Sequence, residues 1–85
     1  MPSWVPEKSW PDLLHKRLWV AQMTIRSELE ADQQVPEFQL VSANSALPPL
    51  NLAPLPQGVV RVVIYIDYNL QRKLVCVYPP PYIAA

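Results

Sequence analysis

The stretch Gly58–Tyr82, GVVRVVIYIDYNLQRKLVCVYPPPY, places two β-branched-rich runs on either side of a polar turn and then meets three prolines. Val59–Tyr68 and Lys73–Tyr78 read as an antiparallel hairpin. A loop Asn69-Leu70-Gln71 pairs Ile66 with Leu74, Ile64 with Cys76 and Asp67 with Lys73. That register gathers Val60, Val62, Ile64, Ile66, Leu74, Cys76 and Tyr78 on one apolar face; a slip by one residue would mix the sets. The second face is mixed and carries Arg61, Val63, Tyr65, Asp67, Lys73, Val75 and Val77. An isolated hairpin is marginal in water, so each face requires a cover.

The first cover lies upstream. No proline or glycine interrupts Asp12–Asp32. At about 100° per residue, Trp10, Leu14, Leu18, Ala21, Ile25 and Leu29 share one helical sector, with Leu13 and Val20 on its flank. Ser9 precedes Trp10-Pro11-Asp12 as a helix cap. A helix over 10–32 follows, its burial ending near Leu29. Val35–Val41 alternates in part, and Pro36 confines it to an edge strand or a strand entry.

The remaining segments are shaped by proline. The chain has eleven prolines and one glycine, so few positions are free to take positive φ. Residues 1–8 form an extended arm. Residues 42–57 form a proline-rich linker whose leucines, at 47, 50, 52 and 55, predict that it lies across the domain in an apolar groove. Residues 58–78 are the hairpin and 79–85 a proline-rich tail. Together they describe one small α+β domain, an amphipathic helix packed on a small antiparallel sheet.

Composition narrows function. At 85 residues, 51% hydrophobic and 16% charged, the chain has the makings of a folded core but a thin stability margin. Seven basic residues balance seven acidic ones, which removes the long-range pull on nucleic acid or anionic membrane and favours self-association. No apolar run approaches the roughly 20 residues of a membrane-spanning helix. No secretory signal opens the chain, and the lone Cys76 suits a reducing, cytoplasmic setting.

Chemistry is sparse. His15 falls outside the apolar stripe, and Cys76 lies mid-strand among apolar residues; together they read as a surface imidazole and a structural thiol rather than a nucleophile pair. No cofactor or metal is expected, since neither ligand spacing nor a glycine-rich phosphate loop is present. The basic clusters His15-Lys16-Arg17 and Arg72-Lys73 lie near aromatic residues, a combination that can stack single-stranded bases, yet at zero net charge they read better as solvated.

Interaction surfaces carry more signal. Trp19, Met23 and Arg26 fall on the helix face away from the stripe, among Lys16, Glu30 and Asp12. These are residue types enriched at interface centres, and they form the candidate partner site. The competing reading packs Trp19 under the arm, through Trp4 or Val5. Val63, Tyr65, Val75 and Val77 form a candidate homo-oligomer interface on the second sheet face. Pro79, Pro80 and Tyr82 match the PPxY pattern read by WW domains, against a plain strand stop. The order of helix, antiparallel strands and Tyr78-Pro79-Pro80-Pro81 loosely resembles the start of ubiquitin-conjugating domains, but no site is carried over from them. The expectation is a non-enzymatic protein-interaction or regulatory protein acting as a homo-oligomer or by masking a partner. A nucleic-acid-associated regulator comes second and an enzyme third.

Overall fold

A computed structural model describes residues 8–43 and 53–84. A single 3-10 turn at Pro11–Leu13 precedes helix α1, Leu18–Ala31. Among the described residues four strands follow: β1 Val35–Ser42, β2 Val59–Tyr68, β3 Leu74–Cys76 and β4 Tyr82–Ala84. They form a four-stranded mixed sheet in which β1 lies along one edge of β2, while β3 and β4 share the other. The architecture is α+β, one helix on one small sheet.

The apolar face of the hairpin meets the helix as the alternation predicts. Ala21, Ile25 and Leu29 of α1 are buried against Val62, Ile64 and Cys76, with Phe38, Val60, Ile66 and Ile83 packed around them. The helix ends where the stripe ends. Gln33 takes φ 60°, and the Gln34 and Gln33 amides donate to the Leu29 and Glu30 carbonyls. This is the Schellman arrangement, with glutamine in the place glycine usually holds.

The amino-terminal half of the expected helix does not form. Between the 3-10 turn and α1, His15 adopts φ 68° and the chain runs alongside β3. The His15 amide donates to the Cys76 carbonyl at 2.8 Å, and the Cys76 amide donates to the Lys16 carbonyl at 2.9 Å. Pairing at a strand edge thus replaces two turns of helix. Ser9 bridges Tyr82 instead of capping, and the Trp10 amide donates to the Pro81 carbonyl. Trp10 remains in the core, its indole N–H donating to Glu28 at 2.7 Å.

Three features of the sheet depart from expectation. First, β1 is an edge strand, but it pairs with β2 in parallel, Val35 opposite Val59 through Ser42 opposite Ile66. The sheet is therefore mixed rather than antiparallel, which also departs from the antiparallel order behind the resemblance to ubiquitin-conjugating domains. A parallel pair needs a crossover of a dozen or more residues, and the proline-rich stretch after Ser42 supplies that length. Of this linker, residues 44–52 lie outside the described residues, and so does the expectation that their leucines plug a groove. Its described end contributes the Ala53 carbonyl, which accepts a hydrogen bond from the Arg61 guanidinium.

Second, the hairpin register is displaced by two residues. Ile66 pairs with Cys76, Asp67 with Val75 and Tyr68 with Leu74. The loop is still three residues long, but it is Leu70-Gln71-Arg72, closed by the Asn69 amide donating to the Lys73 carbonyl. The Asn69 side chain accepts from the Gln71 and Lys73 amides, and Arg72 takes φ 61°. Asparagine at the first turn position and a left-handed residue at the last are what this loop demands. An even displacement leaves the same residues facing the helix.

Third, the three prolines interrupt the outer strand without ending it. Ile64 and Tyr65 of β2 lie opposite five residues, Val77–Pro81, before pairing resumes at Val63 and Tyr82. Prolines have no N–H to donate, so the ladder loops them out and restarts at the next residue with one. Tyr78, expected on the apolar face, is turned outward and 80% exposed at this bulge. Among the described residues, no helix is long and apolar enough to cross a membrane.

Candidate functional site

Where the break before α1 meets the β2–β3 turn, the fold leaves a cleft of about 410 Å3. Half-buried Leu18 and Leu74 line its apolar base. Trp19 and Tyr68, 58% and 66% exposed, supply two aromatic surfaces. Arg17, Arg72 and Lys73 bring three cations to the same opening. A second hollow adjoins it, sharing Tyr68 and Leu74 and reaching Ser42 and Asp67.

Local backbone geometry builds this constellation. Arg17 is the residue before α1 and is held at the edge of Val75, so it cannot fold into the helix. Trp19 follows one residue into the first turn. Arg72 occupies the left-handed turn position and Lys73 closes the loop. The two basic clusters, far apart in sequence and read there as separate solvated patches, therefore face one another. Nothing in the local pattern marks Tyr68 by itself; the basic-plus-aromatic composition of the two clusters is its only trace in the sequence.

Electrostatics sharpen the contrast between the ends of the helix. The first turn of α1 carries no acid and the last no base. Lys16 and Arg17 precede its start, while Glu28, Glu30 and Asp32 gather at its end. Both groups oppose the helix dipole, which favours acids at the start and bases at the end. An arrangement that disfavours the isolated helix leaves the cleft end electropositive.

The remaining candidates divide. Met23, one turn beyond Trp19, is 62% exposed. Arg26 is exposed too, but its guanidinium lies 5.8 Å from the Phe38 ring, directing it toward β1 and away from the cleft. The alternative cover for Trp19, through Trp4 or Val5, falls outside the described residues.

The oligomer patch does not survive as drawn: Val63 is wholly buried and Val75 nearly so, with only Tyr65 and Val77 half-buried. Arg61 and Val41 are buried on the same sheet face, so the chain itself covers the centre of that face. The WW-type motif is likewise occupied. Pro81 is buried, and Tyr82 pairs with Val63 and hydrogen-bonds Tyr65. Pro79 and Pro80 belong to the bulge, so the segment is not an extended polyproline ligand.

Cys76 and His15 do meet, through their backbones. The thiol is fully buried, and burial pushes its pKa up; the imidazole is exposed. A buried thiol of raised pKa is held in its unreactive form. Burial first and neighbouring Tyr65 second raise the Tyr82 pKa as well. Among the described residues, no three His, Cys, Asp or Glu side chains cluster as metal ligands. Comparison of the chain with protein-family models, with curated proteins and with solved structures found no match in any of the three.

Proposed function

We propose that this chain is a non-enzymatic binding module whose cleft takes a short acidic segment of a protein partner. The observation that carries the reading is the meeting of Arg17, Arg72 and Lys73 around Trp19 and Tyr68 over an apolar base. An apolar side chain of the partner fills the cleft between the aromatic surfaces, and flanking carboxylates pair with the cations. Desolvated aromatic anchors supply the affinity and the charges set orientation and association rate. Exposed Met23 extends the contact along α1. A cytoplasmic setting belongs to this reading, and the single, free thiol supports it by suiting a reducing compartment.

The test pairs stability with binding. A fluorescein-labelled peptide of one leucine flanked by glutamates is titrated against the wild type, Trp19→Ala and Arg72→Glu. Binding to the wild type and loss in both variants, with melting temperatures changed by no more than a few degrees, supports the reading. A collapsed melt in Trp19→Ala would assign that residue to the core instead. The same constellation favours one second reading, a site for single-stranded nucleic acid stacking on Trp19 and Tyr68. A labelled oligothymidylate that binds more tightly than the peptide, with strong salt dependence, selects it.

A further inference from the structure

The two edges of the sheet are treated differently. The outer edge of β3 and β4 is covered: Lys8 and Trp10 exchange backbone hydrogen bonds with Ile83 and Pro81, and His15 and Lys16 with Cys76. Among the described residues, no strand pairs with the outer edge of β1. Val35 donates to Gly58 and Ala43 to Ile66, which with the parallel register commits the odd-numbered residues of β1 to β2. The even-numbered residues therefore point their N–H and C=O groups outward. Among the described residues, no backbone partner meets Phe38, Leu40 or Ser42 on that side.

An open edge of eight residues is a template for another strand. Natural proteins usually blunt such edges with lysine, proline or a bulge. Here Pro36 stands at one end, no lysine lies within the strand, and Val35 and Leu40 are 52% and 44% exposed. We propose that β1 pairs antiparallel with β1 of a second copy about a two-fold axis at Leu40, making one continuous sheet across the dimer.

The occupant is argued from self-complementarity. In an isologous contact the same patch must match itself. Centred on Leu40, the pairing sets Leu40 opposite Leu40 and Phe38 opposite Ser42, and it uses every outward donor and acceptor of these three residues. Pro36, which has no N–H, falls outside those pairs. Glu37 lies opposite Ala43 rather than another glutamate, so no like charges face one another. A chain with seven basic and seven acidic residues presents no net charge to hold copies apart. Ser42, at one end of this pairing, also lines the hollow that adjoins the cleft, but the pairing uses backbone groups of β1 and does not depend on the function proposed for the cleft.

The experiment is amide hydrogen exchange of the full chain at two concentrations, about tenfold apart and spanning the dimer transition measured by sedimentation. The Phe38, Leu40 and Ser42 amides are expected to gain protection as the dimer forms, whereas those of Glu37, Gln39 and Val41 stay protected throughout. Leu40→Pro removes only an outward amide, and Leu40→Lys sets like charges across the axis. Each should weaken dimerisation at least about tenfold, a loss of about 1.4 kcal/mol. A monomer at every concentration overturns the proposal. So does a dimer in which the three amides remain unprotected, or protection of them in the monomer, which would mean that this chain covers its own edge.

Discussion

At the scale of single residues, the scarcity of glycine has a visible cost. His15, Gln33 and Arg72 all adopt positive φ in a chain with one glycine, itself at φ 84°. Left-handed backbone costs a residue with a Cβ about 1–2 kcal/mol. Gln33→Gly should therefore stabilise the fold by about 1 kcal/mol, seen as a higher urea midpoint at unchanged slope. Arg72→Gly relieves the same strain but removes a cation from the cleft, so its stability should rise while peptide binding falls. Two other residues set the alkaline limit. The Cys76 and Tyr82 pKa values are both raised in the folded state. Between the unfolded and folded values the unfolded chain has lost protons that the native chain retains. Stability must fall as pH rises, beginning at about 8.5 for the thiol and about 10 for the phenol. Urea melts at stepped pH should show this decline, and Tyr82→Phe should flatten its upper part. Native labelling of Cys76 by a thiol reagent should be slower than in denaturant by orders of magnitude.

At the scale of elements, short connections decide what their neighbours become. The β2–β3 turn depends on one side chain, since Asn69 accepts from both the Gln71 and the Lys73 amide at 2.9 Å. Asn69→Ala should cost about 1–2 kcal/mol, and it should loosen the position of Arg72 and Lys73 in the cleft. That would appear as weaker peptide binding with the aromatic residues untouched. At the other end, Glu28 joins the arm to the helix by accepting from the Trp10 indole and lying 3.6 Å from the Lys8 ammonium. Glu28→Ala leaves a nearly buried indole N–H without its acceptor, for an expected loss of about 1–2 kcal/mol in a thermal melt. The stripe from Trp10 to Leu29 suggested one unbroken helix, and its later half is α1. Its earlier half failed because periodicity records which side chains face the core, not which backbone groups find better partners. The 15–17 segment found them on β3.

At the scale of the whole molecule, charge is separated rather than scarce. The cleft end is basic, the far end of α1 acidic, and both oppose the helix dipole. Charges so placed cost about 0.3–1 kcal/mol each at low ionic strength. Moderate salt should consequently raise the melting temperature of the free protein, by screening unfavourable terms. Arg17→Glu should stabilise the fold by a similar amount while abolishing binding of an acidic peptide, a trade of stability against recognition that marks a site. A melt and a titration on this one variant test both halves, and a destabilised protein would refute the electrostatic account.

The sequence alone determined the elements whose pattern is local: the period-two alternation that buries Val62, Ile64 and Cys76, the helical stripe through Ala21, Ile25 and Leu29, and the placement of Trp19 and Met23 on the helix face away from that stripe, whose exposure the tertiary structure supplied. Tertiary structure decided everything that depends on which backbone meets which. A parallel crossover and an antiparallel return leave the same alternation in β1, so the pairing of Val35 with Val59 is invisible in the pattern. A shift by two residues preserves both faces of a hairpin, so the register around Asn69 had to come from turn chemistry. The burial of Val63 and Val75 likewise depends on chain folding back over the second face. The cleft was the least legible feature, because Arg17 and Arg72 share no periodicity. Only the strand that diverts Lys16 from the helix brings them together.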